Sequence, residues 1–350
     1  MEGEAKNFIK VWIIATTSLF YCYYISSRLP KGLSRLISLL PVFYLFIVLP
    51  LELTTIHLGG ITIFFLTWLA TTKLFLFAFD HGPLSASLKV FHFIALACLP
   101  IKFKSEPKNA RENHKNVKNP SDQTLNLILF TIKFILLVIV FHCHKYKNSM
   151  HPYVVVILYC LHIYLELEIA LAITIIPARV VFGFELEPQF NEPYLATSLQ
   201  DFWGHRWNLM VTKILRPTVY FPIRQVSLRL IGPKWASLPA VMATFVVSGL
   251  IHETIYFYLT RVSPTWEVTW FFILHGICVA IEIIVKKIVK DKWRINRVIS
   301  GLLTITFVVV TGTWLFLPQL IRNGVVEKVL GEYSMFIDFL KQNLSAILFF

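Results

Sequence analysis

Charge is scarce in this sequence. Only 15% of its 350 residues are Asp, Glu, Lys or Arg, against about a quarter in a soluble domain. That shortfall excludes an ordinary water-soluble globular fold. Acidic residues are the scarcer sign, 20 against 33 basic, which leaves a net charge of +13. Cysteine is sparse as well: Cys22, Cys98, Cys143, Cys160 and Cys278 lie far apart and form no CxxC pair. No disulfide framework is expected from such spacing, and these thiols read as small core hydrophobes. The apolar runs do not alternate with polar residues, which excludes a membrane β-barrel. The chain shows no internal repeat and no low-complexity tract.

Apolar residues fill the gap. They make up 56% of the chain, with a mean hydropathy of +0.65, and several runs reach the roughly 20 residues a spanning helix needs. The expected fold is all-α: a polytopic transmembrane helical protein, read as a single membrane-embedded domain over residues 1–350. Spans are expected near 8–26, 35–50, 57–79, 124–142, 152–177, 236–258, 268–286 and 297–317. The run 86–101 is short and reads as re-entrant or as a tilted span, and the tail 334–350 as one more short helix. The total is about eight to ten. The apolar stretch after Met1–Lys6 lacks a small-residue cleavage site and reads as a retained first span.

Two regions are polar. Residues 102–122 form a basic linker, and residues 178–235 a mixed segment rich in Arg, Trp and Pro. By the positive-inside rule both face the cytosol, as does the basic stretch 286–297. The positive charge thus has a plain explanation in loop bias and anionic headgroups. Scattered between spans, it argues against nucleic-acid binding.

The first chemical signal is His252, set in the apolar run Ala236–Tyr258 and followed by Glu253. An ionisable group at membrane depth costs a few kcal/mol even on the gentlest scale. Such a group usually faces a polar cavity, although an intramembrane His can also serve only as a helix–helix hydrogen-bonding group. Glu253 sits about 100° around the helix from His252, while Ser248, one turn earlier, is placed to orient the imidazole. The second signal is Ser198-Leu-Gln-Asp201-Phe-Trp203-Gly-His205-Arg206-Trp207-Asn208. At helical spacing Asp201, His205 and Asn208 share one face, and Trp203, Trp207, Met210 and Ile214 another. Ser198 and Asp201 fit a capping box, and Pro217 and Pro222 argue for a stop near Arg216. The spacing predicts one amphipathic helix of about five turns. From spacing alone, Asp201 reads equally as a cap, the tryptophans as interfacial anchors and Asn208 as a surface amide.

Taken together, the two signals resemble the membrane-bound O-acyltransferase superfamily, and within it the plant wax synthases, the long-chain-alcohol O-fatty-acyltransferases. The matching strings are Asp201-Phe202-Trp203, Arg206-Trp207-Asn208, Ser248-Gly-Leu-Ile-His252-Glu253 and Phe271-Phe-Ile-Leu-His275-Gly276, with Glu282 downstream. The resemblance is sharpest over residues 195–285 and departs at His205, where a basic residue, commonly Arg, is expected. It implies acyl transfer from a long-chain acyl-CoA to a hydroxyl acceptor. In that chemistry His252 is the general base, and a neutral, accepting imidazole is its expected resting form in lipid. Asn208 donates to the oxyanion or orients the thioester carbonyl. Asp201, Trp203, Arg206, Trp207, Ser248, His275 and Glu282 have binding or supporting parts. His275, Val279 and Glu282 share a helical face, so His275 and Glu282 are expected either to line one cavity or to form a satisfied buried pair. No cofactor is implied beyond the co-substrate acyl-CoA, whose phosphates would meet Arg206, Lys213, Arg216 and the stretch 286–297.

The motifs report the transfer step and not the acceptor, so fatty alcohol, sterol and, less so, diacylglycerol stay open. A proton- or ion-coupled transporter using His252, Glu253, His275 and Glu282 is the reading from another class, lowered by the absence of matched repeats. His142, Cys143, His144 and His151 lack a recognised metal spacing. Acyl-CoA supply points to the endoplasmic reticulum. The oligomeric state is not legible.

Overall fold

The computed structural model describes residues 2–99, 120–182, 189–289 and 296–348. These are helical, with no strand among them, and eight helices are long and apolar enough to cross a membrane. They fall on the eight expected runs. The basic linker, apart from its last residues, and residues 183–188 and 290–295 lie outside the described part. The chain forms two compact units, residues 1–100 with 192–350, and residues 101–191.

In the larger unit the short run 86–101 yields only the helix Val90–Cys98. Nine residues rise about 13 Å, far less than a bilayer needs. Its terminal carbonyls have no partner within the helix, and the buried Lys73 supplies one: its Nζ donates to Leu96 O at 2.5 Å and Leu99 O at 2.7 Å. The ammonium thus lies at the negative end of a helix dipole. Arg35 does the same for Phe77 O (3.1 Å) and Leu29 O (2.9 Å). Two cations that look misplaced in apolar runs are therefore caps for chain ends inside the bundle.

At the opposite end of the third span, Ile56–Ala78, two carboxylates serve the free N–H groups of the helix start. Glu4 accepts from Thr54 N and Thr55 N (2.6 and 2.8 Å), and Glu332 from Ile56 N and His57 N (2.6 and 3.0 Å). Glu332 also meets His57 Nδ1 at 2.6 Å. Glu332 belongs to the helix Val325–Leu348, which absorbs the expected tail helix. Burial opposes its charge, but the hydrogen bonds from the His57 ring and from the His57 and Ile56 amides outweigh it and hold the carboxyl below its ordinary value of 4.5. A depressed carboxyl contributes stability that is present above its unfolded pKa and is lost as pH falls through the folded one. Glu332→Gln is expected to lower the unfolding free energy by about 1 kcal/mol, the usual worth of a helix cap. Thermal melting in detergent at neutral pH checks this, and the difference from wild type should shrink on acidification.

The smaller unit is a helical hairpin, Pro120–Cys143 and Pro152–Phe182. Lys133 pairs with Glu168 at 2.8 Å, and His144 turns inward to His162 at 2.8 Å.

Candidate active site

The Ser198 cap forms as expected, its Oγ accepting from Asp201 N at 3.2 Å. The five-turn helix does not. One turn, Leu199–Asp201, leads into a π turn over Phe202–Arg206. Trp207 N–H closes that turn on Phe202 O at 2.8 Å. Asn208 then breaks the path in a left-handed conformation, φ +38°, before the helix Leu209–Leu215. The cause is local and electrostatic. Asp201 Oδ2 takes Arg206 Nε at 2.7 Å and Thr197 N at 3.2 Å, and Arg206 Nη1 donates to Glu192 O at 3.3 Å. An ion pair five residues apart closes over a π turn rather than an α turn, and Asn is among the few side chains that tolerate the left-handed region. The shared face of Asp201, His205 and Asn208 is thereby lost. His205 stands 66% exposed, only loosely placed at 3.9 Å from Asp201.

Nor do the prolines stop the chain at Arg216. It continues helically through a second π stretch, Arg216–Tyr220, into Phe221–Ile231. Pro217 and Pro222 each stand just past a junction between α and π stretches. Arg206→Gln, which removes the clasp on Asp201, is expected to lower both the melting temperature and activity. The loss in stability should be about 1–3 kcal/mol, the worth of a charge-assisted bond between partly buried groups. Arg206→Lys should recover only part, for lack of the fork.

Trp203 points inward. Its ring packs against Phe245, Phe271 and Phe272 (centroids 5.8, 6.1 and 5.7 Å). Its Nε1–H donates to His275 Nδ1 at 3.0 Å, and His275 Nε2 meets Thr311 Oγ1 at 2.9 Å. An indole N–H can only donate. His275 Nδ1 is therefore the acceptor, and its proton sits on Nε2, facing Thr311. His275 is fully buried with both nitrogens engaged. Glu282, two turns further along the helix Glu267–Val289, accepts from Gln200 N at 3.1 Å and pairs with Lys286 at 2.5 Å. The two groups, expected either to line one cavity or to form a satisfied buried pair, grip the motif segment at separate points. That link spans 72 residues in one case and 82 in the other, and no spacing rule reaches so far.

His252 lies on the helix Ser237–Thr260. Its Nδ1 is 2.8 Å from Ser248 O, and its ring rests on Phe272 (4.4 Å) near Phe316 (5.7 Å). A carbonyl only accepts, so Nδ1 carries the proton and Nε2 keeps its lone pair. Ser248 thus orients the imidazole as expected, but through its backbone and not its hydroxyl. Glu253 turns away, accepting from Thr269 N (3.3 Å) and Oγ1 (3.2 Å). The two helices approach closely because Gly249 and Gly276 face each other's partners. A Cβ on Gly276 would stand 2.9 Å from Phe245 Cβ, and one on Gly249 3.0 Å from Thr269 Cα. Phe272 joins the two motifs, with Trp203 on one side and His252 on the other.

Asn208 Oδ1 caps its helix by accepting from Val211 N at 3.4 Å. Its oxygen is thus engaged, which leaves the two amide N–H groups as donors. Trp207 stacks on Phe202 (5.4 Å, 17°). Of the cations expected to meet phosphates, Arg206 and Lys286 are tied to Asp201 and Glu282, whereas Lys213 and Arg216 are exposed.

Comparison with known proteins decides the family. A sequence profile of the Membrane bound O-acyl transferase family matches residues 186–274. The chain is 48% identical to the long-chain-alcohol O-fatty-acyltransferase of Simmondsia chinensis over 350 residues, 99% of each chain. The chain belongs to the membrane bound O-acyl transferase family. A probable long-chain-alcohol O-fatty-acyltransferase 1 of Arabidopsis thaliana is 48% identical over 97% of this chain and 98% of its own. An acyl-CoA–sterol O-acyltransferase 1 of the same plant is 45% identical over 98% and 99%. In this acyltransferase the profile match includes Asp201, Asn208 and His252 and ends one residue before His275. The residue that anchors Trp203 lies just outside it.

Proposed function

We propose that this acyltransferase moves a long-chain acyl group from acyl-CoA to the hydroxyl of a long-chain fatty alcohol, giving a wax ester and free CoA. The observation that carries the reading is the placement of His252: its Nδ1 lies 2.8 Å from Ser248 O, a group that only accepts, which puts the ring proton on Nδ1 and makes Nε2 the nitrogen with the lone pair. That nitrogen takes the alcohol proton as the alcohol oxygen attacks the thioester carbonyl carbon. The Asn208 amide donors meet the oxyanion. Collapse breaks the carbon–sulfur bond, and the imidazolium returns its proton to the leaving thiolate, so no cofactor and no acyl-enzyme are required. Low dielectric around the site strengthens each of these interactions.

The end of the bundle carrying the motif segment also carries Lys234, Lys286 and Lys287, and we assign it to the cytosol by the positive-inside rule. The water-soluble CoA head would dock there, near the exposed Lys213 and Arg216, while both lipid chains stay in the membrane. Arg261 and Glu4, which meet the segment 51–55 at the far end, then face the lumen, placing the N-terminus there. The endoplasmic reticulum is the compartment proposed. The relative named for sterol acylation, at 45% identity, makes a sterol the alternative acceptor. Feeding alcohols and sterols in parallel to a host lacking both activities tests this. Wax ester without sterol ester is the expected product, and sterol ester alone would reassign the acceptor.

A further inference from the structure

Ser248, His252 and Tyr256 follow one another at four-residue intervals on the helix Ser237–Thr260, so they share one face. Ser248 holds the imidazole through its carbonyl, whereas Tyr256 has no part in the mechanism above. Tyr256 is buried. Its hydroxyl donates to Phe316 O at 2.8 Å, across 60 residues of chain. Its ring meets the Phe316 ring edge-on, with centroids 5.6 Å apart at 78°. Hydroxyl and ring thus both act on one residue.

That residue is one of two aromatic walls around His252. Phe272 lies against the imidazole at 4.4 Å and 35°, and Phe316 beside it at 5.7 Å and 63°. The two phenyl centroids are 6.4 Å apart, so the walls form a corner and not a sandwich. One hydrogen bond from Nδ1 to Ser248 O leaves a ring free to swing about that bond. A corner stops the swing and gives Nε2 one place. Phe272 is built into a closely packed helix pair, but Phe316 ends the π stretch Gly312–Phe316, closed by Leu317 N on Gly312 O at 2.8 Å. Partners on other helices hold this stretch at both ends. Thr311, just before it, meets His275 Nε2 at 2.9 Å, and Phe316, its last residue, takes the Tyr256 hydroxyl and packs on Phe271 (5.3 Å).

We propose that Tyr256 is a positioning residue for acyl transfer, acting through Phe316 to hold the His252 imidazole in its reacting orientation. The proposal rests on the reading of His252 as the base.

The test uses the full chain in nanodiscs, with initial rates of ester formation and a melting curve for each variant. Tyr256→Phe keeps the ring and removes only the hydroxyl. It is expected to lower kcat about ten- to a hundredfold, as a misplacement of up to about 1 Å does, with the KM values for acyl-CoA and alcohol close to wild type. Tyr258→Phe is the control. Its hydroxyl makes the same kind of bond from the same helix, to Ile47 O at 2.6 Å, but on another face. It should lower the melting temperature by a similar amount and leave kcat near wild type. Phe316→Leu keeps the carbonyl and removes the wall, so it should lower kcat as Tyr256→Phe does. The double variant should then turn over no more slowly than Phe316→Leu alone, because both changes act on one contact. Equal kcat for the two tyrosine variants, or losses that multiply in the double variant, overturns the proposal. The two readings fail separately. An inactive His252→Ala enzyme beside a fully active Tyr256→Phe enzyme removes the positioning role alone, whereas an active His252→Ala enzyme removes the base itself.

Discussion

His252→Ala is expected to abolish ester synthesis from acyl-CoA and fatty alcohol in membranes where the variant accumulates to the wild-type level. A positioned base contributes about 10²- to 10⁴-fold, and here the loss should reach at least the upper end. The ring that leaves also fills the space between Phe272 and Phe316. The neighbouring titratable groups are directed elsewhere: Glu253 meets Thr269 through Oε1, and His275 has both nitrogens engaged. Ser248→Ala provides the contrast. It removes a hydroxyl but leaves the carbonyl that holds Nδ1, so its cost should be far smaller. Ester formation by His252→Ala at the wild-type rate would end the catalytic assignment.

Asn208→Asp is expected to fold and to fail. Asp keeps an oxygen able to accept from Val211 N–H, is a good N-cap and, like Asn, tolerates the positive φ of this position. What it loses is both N–H donors, and in their place it brings a negative charge toward a developing oxyanion. Removing one oxyanion donor costs about 10²- to 10³-fold in kcat, and the added repulsion should deepen that. Asn208→Ala loses the cap and the donors together, so it should lower thermal stability as well as turnover. The pair separates the two roles. A melting temperature near wild type for Asn208→Asp with kcat down at least about a hundredfold supports the donor role, while near-normal turnover would leave Asn208 a helix cap and nothing more.

Several particulars of the site were legible before any coordinates. The Ser198 cap, the placing of Glu253 about 100° around the helix from His252 and the orientation of His252 by Ser248 follow from one-turn geometry, which depends only on neighbours in the chain. The path of the motif segment was not legible in the same way. Asp201, His205 and Asn208 share a face only if the turns are α turns, and the Asp201–Arg206 clasp with Glu192 O makes one of them a π turn. The five-residue spacing of a carboxylate and a guanidinium was the available signal. A further π stretch, Gly312–Phe316, carries Phe316 against the His252 ring, and such insertions gather at functional sites.

The places of the eight long spans, the shortness of the 86–101 run and the setting of His252 inside an apolar run were legible in the sequence alone, whereas the total of eight to ten was not narrowed by it. A bilayer tests each segment against its thickness, one run at a time. The tertiary structure decided which polar groups meet: His275 with Trp203 and Thr311, Gln200 with Glu282, Lys73 with the end of the short helix Val90–Cys98. In water, an apolar face announces where the neighbours are. In lipid both faces of a helix are apolar, so periodicity carries little news of its partners, and pairing is chosen by close packing and by the need of each buried donor for an acceptor.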